Sequence, residues 1–160
     1  MRGLGSHFAS GVVVLSMSQA RLHKPLLYRL KGTDALPNHP ALLGTRCTCG
    51  HTHFPPHHYG CEQCGRHGAA LTDVALNGRG ELVSVATVHL HNAAITDDDV
   101  LPIAAPFTIV TVALDDGPRV RGLLAEGAQD IEPGTTVVTS MMDIGRNGVT
   151  VLDLRFSPED

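Results

Sequence analysis

The sequence predicts a mainly β protein: a short N-terminal helix, a metal-binding ribbon and a C-terminal antiparallel barrel of OB type. Three observations carry this reading. After residue 70, strand-length runs of apolar and β-branched residues follow one another at close spacing without a long helix between them. The chain holds 17 Gly and 10 Pro, which favour turns over long helices, and its four cysteines fall within eighteen residues. At 160 residues, with 42% hydrophobic and 18% charged residues, it is long and apolar enough to bury about 70% of its unfolded surface.

Residues 1–20 read as a flexible extension. The apolar stretch Val12 to Leu15 is shorter than the roughly 7–15 residues of a secretion signal's core, and Met17 offers an alternative start. Residues 21–43 read as a helical segment and connector. Pro25 stands at a permitted first helical position, Gly32 ends the helix, and Leu36-Pro37-Asn38-His39-Pro40 links it to the cysteine-rich segment. So short a helix needs a surface for its Leu26, Leu27, Tyr28 and Leu30. The flanking Arg21, Lys24, Arg29 and Lys31 suit an acidic partner face, so these four apolar residues are expected at a partner interface together with Phe54, Pro55 and Pro56.

Residues 44–67 form the metal module. Cys47 and Cys49, then Cys61 and Cys64, make two close pairs joined by one short loop, which suits a tetrahedral thiolate site better than a disulfide framework. Zinc in a closed structural site comes first; iron and an unmetallated or oxidised loop are the alternatives. Gly50 and Gly65 follow the pairs, where a turn around a metal demands positive φ. The C-x-C spacing of the first pair departs from the usual C-x-x-C. His39, His51, His53, His57, His58 and His67 read as solvated loop side chains, since four thiolates complete the site without them. Between the pairs, Phe54-Pro55-Pro56 holds the chain extended.

Residues 68–160 supply the barrel strands: Leu71 to Leu76, Glu81 to His91, Phe107 to Leu114, Arg119 to Leu124, Thr135 to Met142 and Gly148 to Phe156. Asn77-Gly78 reads as a hairpin turn between the first two, and Asp115-Asp116-Gly117 and Arg146-Asn147-Gly148 as later turns. His89 and His91 fall on one strand face and are candidates for a ligand pocket, as are Arg119 and Arg121. A solvated or salt-bridged face is the alternative for both pairs. The Asp97-Asp98-Asp99 run reads as a solvated loop without a metal.

Charge narrows the function classes. Residues 1–67 are net +5 and residues 68–160 net −9, with no Trp in the chain, so the barrel lacks the basic, aromatic groove that single-stranded nucleic acid requires. That binding class is the rival reading, and it is disfavoured. No apolar run approaches the roughly 20 residues of a membrane-spanning helix, and a cytoplasmic protein with no membrane role is expected. Nucleophile elbow, P-loop and dinucleotide fingerprint are all missing, and cysteines held by metal are poor nucleophiles.

Taken in order, Gly44-Thr45-Arg46-Cys47, Cys49-Gly50, Phe54-Pro55-Pro56, Cys61-x-x-Cys64-Gly65, Gly78-Arg79-Gly80 and Leu114-Asp115-Asp116-Gly117 resemble the DUF35 family over about residues 22 to 156. The resemblance implies an N-terminal helix, a rubredoxin-like zinc ribbon and an OB fold. It also implies a small subunit without catalytic residues of its own, inactive alone, in a hetero-oligomer with a thiolase-like large subunit. Such a partner makes or cleaves β-ketoacyl-CoA, or cleaves a CoA thioester by retro-aldol chemistry, and the small chain helps to hold the CoA thioester.

Overall fold

The computed structural model describes residues 20–92, 97–128 and 130–160; all but the last residue of the extension expected over residues 1–20 lies outside them. Ten strands are present among the described residues: β1 Arg21–Leu22, β2 Tyr28–Arg29, β3 Ala41–Cys47, β4 Thr52–His53, β5 Leu71–Leu76, β6 Arg79–Val88, β7 Phe107–Leu114, β8 Arg119–Leu124, β9 Thr136–Asp143 and β10 Val151–Pro158. The mainly β expectation holds, and so does the barrel. Strands β6, β7, β8, β10 and β9 follow one another around a closed sheet, because β9 pairs with both β10 and β6. Every barrel pairing is antiparallel except β8 with β10, which run parallel.

Alternation builds the wall. In β7, Val110, Val112 and Leu114 point inward while the residues between them are partly exposed; in β8, Val120 is buried between the outward Arg119 and Arg121. A bulge at Val83 restores the inward phase of long β6, which must serve β9 at one end and β7 throughout. Phe156 fills the barrel core, and Gly122 lets it do so: a Cβ there would meet the Phe156 ring at 2.7 Å. On the barrel surface, Arg79 clamps the start of β6 to the β7–β8 turn through Asp115 and to the C-terminal Glu159, each at 2.8 Å.

The expected N-terminal helix is not formed. Residues 21–29 make two short strands joined by a turn in which the Leu27 amide donates to the Lys24 carbonyl at 3.0 Å. Pro25 therefore occupies the second position of a turn, where its fixed φ serves equally well. The helix loses because both flanks find sheet partners: β1 pairs parallel with Val151 and Leu152 of β10, and β2 pairs antiparallel with β3.

The Asn77-Gly78 hairpin is also replaced. Strand β5 pairs along its whole length with β3, whereas β6 pairs with β7 and β9. The chain thus leaves the ribbon sheet (β2, β3, β4 and β5) and enters the barrel at Asn77-Gly78. Gly78 is needed there for close approach, since a Cβ would lie 1.8 Å from the Thr139 Oγ1 and 2.6 Å from the Pro40 carbonyl oxygen. Asn147 and Gly148, both at positive φ, do make the turn of the β9–β10 hairpin.

Ribbon sheet and barrel share one core, in which Tyr28, Leu42 and Leu76 pack with Leu82, Val110, Val120, Leu154 and Phe156. Tyr28 is 3% exposed, and its hydroxyl donates to the Asp153 carboxylate on β10 at 2.7 Å. Arg155, two residues on and on the same strand face, pairs with the other oxygen of Asp153. Burial opposes the ionised Asp153, but Arg155 and Tyr28 together hold its pKa below the ordinary value. Burial, with Asp153 beside it, raises the Tyr28 phenol above its ordinary value.

Both shifts set a pH window for stability. A depressed Asp153 contributes stability that is present above the unfolded carboxylate range of about 3.9 and is lost as pH falls through the folded value. A raised Tyr28 contributes stability that is complete below about 10 and is lost as pH rises through its folded value. Tyr28→Phe is expected to cost about 1–2 kcal/mol near neutral pH in denaturant titrations. The same variant should flatten the alkaline loss of stability while keeping most of the acid loss.

Candidate metal centre

Each cysteine pair is held in a turn by backbone hydrogen bonds. At the end of β3 the Cys47 amide donates to the His51 carbonyl and the Gly50 amide to the Cys47 carbonyl, both at 2.8 Å. At the second pair the Cys61 amide donates to Arg66 and the Gly65 amide to Cys61, again at 2.8 Å. Gly50 at φ 94° and Gly65 at φ 74° adopt the left-handed conformation expected of them.

The two turns face each other and bring all four sulfurs within 4.8 Å of one another. Cys47 Sγ lies 3.6 Å from Cys64 Sγ, and Cys49 Sγ lies 3.6 Å from Cys61 Sγ. A tetrahedral zinc with bonds of about 2.3 Å sets its sulfurs about 3.8 Å apart. The residues therefore fit the ion, and the C-x-C spacing does not keep Cys49 out of the cluster. Cys47 and Cys61 are buried against Leu71, whereas Cys49 and Cys64 are exposed. Without a cation the thiols share charge unevenly: the Cys49 amide and neighbouring thiols bring Cys47 down to about 7. Cys49 goes up to about 12, because burial and the other three thiols outweigh the favourable His51 amide. Four thiolates together require a cation to compensate them. A bound zinc would supply that charge and cross-link the two turns; four protein ligands leave no open position for catalysis.

The histidines divide. His58 is exposed and 3.1 Å from Asp73, and His39 Nδ1 is 3.0 Å from the Thr139 carbonyl oxygen. His53 is not a solvated loop residue: it pairs with Thr45 across β4 and β3, is 3% exposed, and its Nε2 has no hydrogen-bond partner. Burial first, then His51 and His57, lower its pKa. The rings of His51, His53, His57 and Tyr59 form a run with centroids 4.6, 4.6 and 4.1 Å apart. The sequence reasoning missed this grouping, although the His51-x-His53 spacing in extended chain would have indicated it.

The other sequence-derived candidates scatter. Tyr28 faces the core, and Leu27 and Phe54 pack against it, whereas Leu26 is 80% and Leu30 47% exposed. Phe54 and Pro55 form a bend, not an extended run. His89 and His91 lie beyond the end of β6 at Val88, both exposed, so no strand aligns them; His91 packs edge-on against Phe107 at 5.2 Å. Arg119 and Arg121 share the outer face of β8, and Arg121 lines a cavity of about 100 Å³ with Lys24, Leu27, Phe54 and Asp153. Asp97 and Asp99 pair with Arg21, and Asp98 with Arg146. A larger groove of about 420 Å³, lined by Leu101, Ile103, Phe107, Leu123, Met142 and Arg155, was not foreseen. Its residues come from two loop segments and four strands distant in sequence. No helix among the described residues is long and apolar enough to cross a membrane.

Purified without added metal, the protein is expected to carry about one zinc per chain by elemental analysis, with binding that weakens as pH falls because protons compete for the thiolates. Cys64→Ser should lose the ion and loosen the β3–β5 ribbon by several kcal/mol, on the order of 5.

No protein-family model matches the chain. It is 27% identical over 129 residues to a DUF35 domain-containing scaffold protein of Methanothermobacter thermautotrophicus, an alignment that covers 78% of this chain and 91% of that protein. It also superimposes on a chain of the solved Ltp2-ChsH2(DUF35) aldolase with a TM-score of 0.52 and 25% identity, over 72% of this chain and 84% of that one. Together with the closed barrel, the four-cysteine ribbon and the ordered motifs already described, these likenesses in sequence and in fold support the DUF35 family for this chain.

Proposed function

We propose that the chain is a non-catalytic accessory subunit of a thiolase-like or aldolase-type acyl-CoA enzyme, required for that enzyme's activity and working in the cytoplasm. The observation that carries this reading is the likeness, over 78% and 72% of this chain, to a protein described as a DUF35 domain-containing scaffold and to a chain of a DUF35 aldolase. The chemistry of the described residues supports it. The thiols are drawn into one cluster, His89 and His91 are not aligned, and the Tyr28 hydroxyl beside the Asp153 carboxylate is buried as a structural pair. The reacting groups therefore belong to the larger partner, which makes or cleaves β-ketoacyl-CoA or cleaves a CoA thioester by retro-aldol chemistry.

Leu26 and Leu30 are exposed apolar side chains close in sequence to Lys24, Arg29 and Lys31, and this basic, apolar edge suits an acidic partner surface, whereas Arg21 is already engaged by Asp97 and Asp99. Pro55 and Pro56 extend that contact. Arg121 and Arg119, cationic and without an ion-pair partner among the described residues, face outward from β8, where they assist in holding CoA phosphate groups.

Reconstitution tests the proposal. The isolated chain is expected to turn over neither a β-ketoacyl-CoA nor a β-hydroxyacyl-CoA, and adding the large subunit that co-purifies with it should produce activity. Turnover by the small chain alone would refute the assignment. Leu26→Asp should weaken association at least tenfold, about 1.4 kcal/mol, while leaving the thermal transition unchanged.

A further inference from the structure

A second set of donors stands beside the cysteine cluster. His51 and His53 are two residues apart in extended chain and so project to the same side. Glu62 enters from the second cysteine turn, between Cys61 and Cys64. One ligand atom from each of these three residues lies within 4.8 Å of the others. Nitrogen and oxygen donors sharing one tetrahedral ion stand about 3.3–3.5 Å apart. The remaining gap closes by rotation of the half-buried His51 and exposed Glu62 side chains, with His53 as the fixed point.

Fixed and buried, His53 leaves its Nε2 without a partner, and the adjoining His57 leaves its Nδ1 in the same condition. A buried imidazole nitrogen facing no donor or acceptor is unfavourable, and a metal ion is one way to satisfy it. Charge favours the same outcome. Four thiolates around a dication carry a net negative charge, and Glu62, placed between two of those ligands, adds to it.

We propose that His51, His53 and Glu62 form a second metal site, distinct from the four sulfurs, for a divalent first-row transition ion such as zinc. Two imidazoles and one carboxylate suit such an ion, whereas calcium and magnesium require all-oxygen shells. Three protein donors leave one coordination position open to water or to an oxygen of an incoming ligand, in contrast to the closed sulfur site.

Cobalt(II) titration of the full chain already carrying one zinc tests this. The expected result is one further equivalent with visible d–d absorption and no added thiolate charge-transfer band. Glu62→Gln and His51→Ala should each weaken that equivalent at least tenfold while leaving the first ion and the thermal transition unchanged. His53→Ala should abolish it. Since Glu62 is exposed and His51 half-buried, those two variants report on the site even where His53→Ala disturbs folding. Absence of a second equivalent would overturn the proposal, as would unchanged binding in both Glu62→Gln and His51→Ala. So would a single ion whose loss follows His51→Ala, which would mean one mixed cysteine–histidine site.

Discussion

The hydrogen bond from Tyr28 to Asp153 joins the two halves of this molecule. Asp153 lies on β10 of the barrel and Tyr28 on β2 of the ribbon sheet, and the carboxylate is buried. An ionised carboxylate out of water costs several kcal/mol unless its oxygens are occupied. Arg155 satisfies one oxygen and Tyr28 the other, so the barrel's own strand has an unfinished polar site that only the N-terminal segment completes. That requirement explains why residues 21–29 pair with β10 and β3 instead of coiling into a helix. It also explains why ribbon and barrel share a core, with Leu42 and Leu76 packed against Leu82 and Phe156.

Docking of the ribbon against the barrel places the cysteine turns at the far end of β3 and the start of β5, away from the junction at Asn77-Gly78. Among the described residues, the fully buried apolar cluster here consists of Leu71 with the pair Cys47 and Cys61. On so small an apolar base, a metal held by the four thiols would cross-link the two loops and couple its binding to their folding. The histidine run beside it adds buried polar atoms to a region with little hydrophobic stabilisation, and it is here that the proposed second ion would contribute most.

The barrel is stabilised differently. Its interior is closed by alternating apolar side chains, its sequence is net acidic, and a groove of about 420 Å³ is lined by residues of the β6–β7 connection and of β7, β8, β9 and β10. A closed barrel of this kind is a stable frame that needs no chemistry of its own. The proposed accessory role therefore asks of it rigidity and a surface, and asks reactivity of the partner.

By itself the sequence determined the local features: most of the strand segments, the β7–β8 and β9–β10 turns, and the four sulfurs as one cluster able to hold a metal. These follow from period, turn chemistry and close cysteine spacing, all of which act over a few residues. It also carried the ordered motifs of the family. Tertiary structure decided the rest. Leu26, Leu27, Tyr28 and Leu30 look alike as a short apolar run, yet Tyr28 was drawn inward by a carboxylate 125 residues away while Leu26 was left in water. Asn77-Gly78 has hairpin chemistry, yet the sheet partners of β5 and β6 lie elsewhere, and Gly78 serves close packing against Thr139. His53 resembles its five neighbouring loop histidines in sequence but is buried by the β3–β4 pairing. In each case the deciding contact joins residues far apart in the chain, and local propensity, worth at most about 1 kcal/mol per residue apart from proline, yields to burial and to the need to satisfy a buried polar group.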